Sequence, residues 1–142
     1  MKLQISDTFN KELPADPIQD RESRIVEKSC FSFVHPTIPS RPELIHYSSD
    51  MATTLGLEIN NIESTEFLNL VSGKFIYPQT KPYAMCYGGH QFGQWAGQLG
   101  DGRAINLFET IHQDKRWAWQ LKGAGKTPYS RTADGLAVLR SS

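Results

Sequence analysis

The sequence predicts an α+β fold, with short helices in its first half and a glycine-rich antiparallel β region in its second. Three observations carry that expectation. Nine of the eleven glycines lie between residues 87 and 135: Gly88, Gly89, Gly93, Gly97, Gly100, Gly102, Gly123, Gly125 and Gly135. Such density serves tight turns or lets the backbone approach a ligand closely. Residues 103–110 and 117–122 read as the two strands of a hairpin. Residues 41–56 and 65–72 each carry a capping residue at one end and a glycine just past the other.

Taken in order, residues 1–20 are polar and turn-prone, with Pro14 and Pro17 around Asp16, and read as an arm wrapping the domain. Residues 21–30 are expected to make a short helix, followed by an extended CFSFVHP in which Phe31, Phe33 or Val34 is the anchor. Pro36, Pro39 and Pro42 then enforce a loop. In the helix expected over 41–56, Ser40 is the N-cap, Pro42 and Glu43 sit in the first turn, and Gly56 ends it. Leu44, Tyr47, Ser48, Met51 and Leu55 form its apolar stripe, read as core packing. The second helix is capped by Ser64 or Thr65 and ended by Gly73.

In the first strand of the hairpin, Ile105, Leu107 and Glu109 share one face, and Ala104, Asn106 and Phe108 the other, which predicts burial on both sides. In the second, Trp117, Trp119 and Leu121 point one way, and Ala118, Gln120 and Lys122 the other. Residues 136–142 start like a helix and carry no stop signal, so the chain reads as part of a longer protein. Two units are expected: residues 1–80 as a helical N-terminal extension, and 81–142 as the glycine-rich part.

Formal net charge is zero, but residues 100–142 hold seven Lys and Arg against four Asp and Glu, an excess of three. That suits a small anionic ligand and falls short of a nucleic-acid footprint. No run of about 18 apolar residues is present, which excludes a membrane-spanning helix from the expectation. Cys30 and Cys86 are too few and too far apart in sequence for a disulfide framework. With no signal-peptide layout at the N-terminus, the reading is a cytoplasmic protein.

The motifs narrow the ligand. GAGKT at residues 123–127 lacks the P-loop's first glycine, because Gln120 stands five positions before Gly125. The dinucleotide fingerprint also fails, with Pro128 where a third glycine belongs. Around LGDGRA the order is G-x-x-G-x-G (Gly97, Gly100, Gly102), reversed from the usual nucleotide-binding spacing. What remains is a layout: glycine-rich segment, strand, turn, strand ending in Lys122. Protein-kinase small lobes share it. Amides plus Arg103, Lys122, Lys126 and Arg131 are what a polyphosphate needs. Other residues have plainer readings. His90 reads as hydrogen-bonding its loop ahead of serving as a ligand or base, and Trp95, Trp117 and Trp119 as core packing ahead of stacking on a nucleotide base. Tyr129, Ser130 and Thr132 serve turns or caps rather than modification. Asp134 either binds a metal accompanying the anion or caps the helix expected after it.

These residues resemble the selenoprotein O (YdiU) family over nearly the whole chain. The resemblance rests on FNKELPAD, on SFVHP with RPELIHYS, and most specifically on YAMCYGGHQFGQWAGQLGDGRAINL and WQLKGAGKTPYSRTADGLAVLRSS. It implies a pseudokinase fold, with this chain as the kinase-like small lobe truncated before the large lobe. It also implies a protein adenylyltransferase that moves AMP from ATP to Ser, Thr or Tyr hydroxyls of protein substrates, holding ATP inverted relative to kinases. By motif, Gly100, Gly102 and Arg103 of LGDGRA, Lys122 of QLKG, and Asp134 and Gly135 of ADG are the implied ATP-binding positions. Phe108 stands where the family pattern usually has glycine, and Leu136 where many members have arginine. The lysine's glutamate partner, the catalytic aspartate and the ligands for Mg2+ or Mn2+ are implied to lie beyond Ser142, so this chain alone is expected to be inactive. The rival readings are a non-catalytic nucleotide-binding module and an ordinary phosphotransferase.

Overall fold

A computed structural model describes residues 1–137. It is an α+β arrangement of five antiparallel strands and four short helices among the described residues. The elements are α1 (Phe9–Glu12), β1 (Phe31–Phe33), α2 (Ser49–Thr54), α3 (Ile59–Ile62), α4 (Thr65–Val71), β2 (Tyr83–Gln91), β3 (Gln94–Gly100), β4 (Ala104–His112) and β5 (Lys115–Lys122). The sheet runs β1-β2-β4-β5, and β3 pairs with the outer half of β2.

The expected hairpin is β4–β5, joined by Gln113 and Asp114, both with positive φ (49° and 60°). Two left-handed residues in a two-residue turn match the twist of the flanking strands. Along β5 the burial alternates as expected, with Trp117, Trp119 and Leu121 half-buried and Ala118, Gln120 and Lys122 exposed. On β4 the expected alternation fails. The register shifts between Asn106 and Phe108, which leaves Leu107 as an extra residue in a bulge. Ile105 therefore packs with Val34, Ala84 and Tyr129 on one face, while Leu107 and Phe108 join Leu70 on the other. Phe108 is fully buried and packs against Tyr77 and Trp119, with ring centroids 5.6 and 5.3 Å away.

The glycine-rich segment is itself a hairpin. β2 turns into β3 through Phe92 and Gly93 (φ 53° and 78°), and a bulge between Gly88 and His90 faces Gly97 (φ 73°). The N-terminal arm does wrap the sheet. Ile5 bridges Thr110, and the Ser6 N–H donates to the Glu109 carbonyl at 2.9 Å. Asp7 is buried and accepts the Glu109 N–H at 2.8 Å, so the arm completes the edge of β4 beyond Asn106.

Helix α4 matches the expected one, with Ser64 accepting the Phe67 N–H at 3.1 Å and Gly73 past its end (φ 77°). Two other helical expectations are corrected. Residues 21–30 are irregular, because the Gln98 side chain takes up their backbone: its Oε1 accepts the Val26 N–H (2.7 Å) and its Nε2 donates to the Arg24 carbonyl (2.8 Å). Over residues 41–56 only Ser49–Thr54 is helical. Ser48, in an extended conformation, accepts the Met51 N–H and starts the helix eight residues after Ser40. Leu44 and Met51 are exposed rather than core, and Ala52 is the buried position. The helix expected from Leu136 has its body outside the described residues.

Cys30 and Cys86, distant in sequence, meet across β1 and β2. Phe31 pairs with Met85, and the Cys86 N–H donates to the Cys30 carbonyl at 2.8 Å. Both thiols are free.

Replacing Phe108 with Ala is expected to destabilise the chain by about 3–5 kcal/mol, the usual cost of emptying a core aromatic site. Phe92→Ala, at the exposed hairpin tip, should stay within about 0.5 kcal/mol of wild type. Urea unfolding followed by circular dichroism reads both, and equal losses would contradict this core.

Candidate functional site

The site forms where the end of the glycine-rich hairpin meets the segment after β5. LGDGRA turns from β3 into β4 at Asp101, whose carboxylate is buried. Its Oδ2 accepts the Met85 N–H (3.0 Å) and the Asn106 Nδ2–H (2.9 Å). Asn106 Oδ1 in turn accepts the Gln120 side-chain N–H at 3.0 Å, which ties β5 to the same network. Burial pushes the Asp101 pKa up, against the lowering effect of the Met85 and Asn106 donors.

On the other side, Thr127 and Ser130 fold the GAGKTPYSRTADG segment against this turn. The Thr127 hydroxyl donates to the Asp101 carbonyl (2.7 Å), and the Ser130 hydroxyl donates to the Gly102 carbonyl. Gly102 is required here because a Cβ would sit 2.9 Å from the Tyr129 carbonyl oxygen. Further along, the Gly125 N–H donates to the Gly135 carbonyl (3.1 Å), and Ala124 bridges Leu136.

Between these walls lies a cavity of about 480 Å³ lined by Gly100, Gly102, Arg103, Ser130, Ala133, Asp134, Gly135 and Leu136. Five of the six residues expected from the sequence thus line one space. The sixth, Lys122, is not in its lining. It pairs with Ala104 at the end of β5, next to Arg103, and the following Gly123 N–H donates to the Arg103 carbonyl at 2.6 Å. Asp134 Oδ1 accepts the Leu136 N–H at 2.9 Å and so shapes the turn at the cavity rim. Ser130, Ala133 and Leu136 were not singled out as lining residues. Their proximity depends on the Thr127–Ser130 turn, which leaves no local periodic signal.

The remaining aromatic and hydroxyl readings divide. Trp119 packs in the core, but Trp95 is 64% exposed and stands edge-on to His90, so its expected core role is corrected. It lies on β3, which pairs with β2 alone and stands off the path of the main sheet. Tyr129 and Ser130 are buried turn residues, while Thr132 is exposed. The Tyr129 hydroxyl shares a 2.8 Å hydrogen bond with Ser32, whose Oγ donates to Asp16 at 2.6 Å. Asp16 also pairs with Arg24. A separate groove of about 430 Å³, lined by Leu44, Ile45 and Tyr47 with Ile62 and Leu68, carries no Lys or Arg for a polyphosphate.

Residues 21–142 match the family model described as Protein adenylyltransferase SelO. A protein nucleotidyltransferase YdiU of Flavobacterium johnsoniae is 61% identical over 140 residues, covering 99% of this chain and 27% of the relative. YdiU proteins of Methylobacillus flagellatus and Rhodopirellula baltica are 52% and 51% identical over 141 residues each, covering 99% of this chain and 27% and 26% of the relatives. The chain therefore spans about a quarter of the length of these curated relatives.

Asp16 supplies a pH test of the layer beneath the cavity. Burial acts to raise its pKa, but the hydrogen bonds from Ser32, Ile18 and Arg24 and the Arg24 charge outweigh it, and the pKa falls below the ordinary value. A depressed folded-state pKa stabilises above the unfolded value of about 3.9 and loses that stabilisation as pH falls through the folded value. Asp16→Asn is expected to cost about 1.5–3 kcal/mol at neutral pH, as for lost charge-assisted hydrogen bonds. The gap from wild type should narrow as pH falls below about 4. Chemical denaturation across that range checks it, and a gap independent of pH would show that the Asp16 charge contributes nothing.

Proposed function

The chain belongs to the protein adenylyltransferase SelO family, and from that membership we propose that the full-length protein containing it transfers AMP from ATP to Ser, Thr or Tyr hydroxyls of other proteins. This chain supplies the ATP-binding part. The observation that carries the reading is the convergence of Gly100, Gly102, Arg103, Asp134 and Gly135 on one cavity; Lys122 lies outside the lining and pairs with Ala104, the neighbour of Arg103. In this reading the five-stranded sheet is the small lobe of a kinase-like fold, residues 81–142 hold the nucleotide, and residues 1–80 extend and brace them.

The chemistry fits the residue types. The acceptor hydroxyl gives up its proton to a base or water as its oxygen bonds to the α-phosphorus, the bond to the oxygen bridging to the β-phosphate breaks, and pyrophosphate leaves. Most of the barrier reduction for such transfers comes from positioning and charge stabilisation. Glycine backbone lets phosphate oxygens approach the chain closely. Arg103 offers a planar fork of donors, and Lys122 a compact charge on a flexible stem. Mg2+ or Mn2+ would neutralise phosphate charge in such an enzyme. Among the described residues no three His, Cys, Asp or Glu side chains converge as a metal site. No helix among the described residues is long and apolar enough to cross a membrane. A cytoplasmic location is part of the proposal.

Two measurements on the full-length protein test it. With ATP labelled at either the α- or the γ-phosphate, label should reach protein from the α position. Transfer from the γ position alone would make the enzyme an ordinary phosphotransferase, and ATP binding with no transfer would leave a nucleotide-binding module. Lys122→Ala should weaken ATP binding about tenfold to a hundredfold, matching the ~1.5–3 kcal/mol of a charge-assisted contact. Equal affinity in two folded proteins would remove Lys122 from the site.

A further inference from the structure

We propose that Thr127 and Ser130 are positioning residues that set the separation of the two walls of the nucleotide cavity; this rests on the ATP-binding reading above. One wall is the Gly100–Arg103 turn and the other is the Ala133–Leu136 segment. They flank the β4–β5 hairpin in sequence, more than thirty residues apart from Gly100 to Asp134, and meet at its open end where Ala104 pairs with Lys122, so contacts between the two segments fix their spacing. Two side-chain hydroxyls, on the turn that leads into the second wall, bond to the backbone of the first.

Thr127 is fully buried, and its hydroxyl donates to the Asp101 carbonyl at 2.7 Å while accepting the Tyr129 N–H at 3.2 Å. The Ser130 hydroxyl accepts the Thr127 N–H at 2.8 Å and donates to the Gly102 carbonyl. The two acceptor carbonyls therefore belong to consecutive residues of LGDGRA. From Ser130 the chain continues directly into the second wall, with the Ala133 N–H donating to the Ser130 carbonyl at 3.0 Å. Asp101 cannot yield to a displaced Thr127, because its own carboxylate is held by Met85 and Asn106. The clasp is thus anchored to the sheet on one side and to the cavity rim on the other.

Neither hydroxyl is free to serve as a modification target, since both are buried and engaged. Their chemistry is that of a spacer. Valine at 127 keeps the threonine shape but leaves the Asp101 carbonyl and Tyr129 N–H without their partner. Serine at 127 keeps the hydroxyl.

The test uses the full-length protein, with ATP affinity measured by titration calorimetry and folding by urea denaturation. Thr127→Val should weaken ATP binding by about tenfold in the folded protein, the size of one lost buried hydrogen bond. Thr127→Ser should restore the affinity. A merely structural role would lower stability in Thr127→Val and leave the affinity of the folded protein unchanged, and that result overturns the proposal. Should Thr127→Val not fold, Ser130→Ala carries the same comparison through the Gly102 carbonyl: weakened binding supports the clasp and wild-type binding overturns it. Wild-type protein that binds no ATP would overturn the nucleotide reading and this proposal together, whereas wild-type affinity in a folded variant overturns the clasp alone.

Discussion

A carboxylate taken out of water must find hydrogen-bond donors or its burial is ruinous, and Asp101 meets that constraint in a way that organises the sheet. Its two donors come from different strands: the Met85 backbone on β2 and the Asn106 side chain on β4. β2 and β4 share only the register pair Tyr83 and Asn106, so the side-chain network replaces much of the backbone ladder between them. The Asn106 amide also bonds the Tyr83 carbonyl (3.3 Å), and Gln120 extends the connection to β5. Residue 101 thus fixes where the glycine-rich hairpin leaves the sheet, and the cavity wall follows from that exit.

The site glycines have a packing explanation alongside the ligand one. A Cβ at Gly100 would run into the Tyr129 ring, and one at Gly102 would meet the Tyr129 backbone. Tyr129 is buried, and its hydroxyl is engaged by Ser32. Removing either glycine would therefore move Tyr129 before any ligand was considered.

What could be read from the sequence divides along a physical line. The β4–β5 hairpin and helix α4 were legible because their signals are local: period-two alternation along β5, and a serine cap with a glycine stop around residues 64–73. The grouping of the site residues was legible only through motif resemblance, since nothing periodic links Gly102 to Asp134. Failures came where a distant partner, a competing local cap or a bulge decided the outcome. Residues 21–30 lost helix to the Gln98 side chain, and the segment before Ser48 lost it to a closer cap. The bulge at Leu107 lets two successive residues face one core, which strict alternation forbids. Cys30 and Cys86 meet only because β1 and β2 pair.

The N-terminal arm is coupled to the cavity through a continuous set of contacts. Asp16 accepts Ser32, Ser32 meets Tyr129, and Tyr129 packs beneath Gly100. The same aspartate is braced by Arg24, whose carbonyl accepts the Gln98 side chain on β3. The arm therefore reaches the glycine-rich hairpin from below and from its edge. At the opposite end, Asp7 bonds the Glu109 N–H and Thr8 bonds the Glu109 carboxylate at 2.9 Å, holding β4 in place beyond its contact with β2. Two buried aspartates on a polar, turn-rich segment thus take the part that apolar side chains play elsewhere in the fold. A sheet whose central strands share one register pair needs such lateral support, and the arm supplies it both at Glu109 and at Ser32.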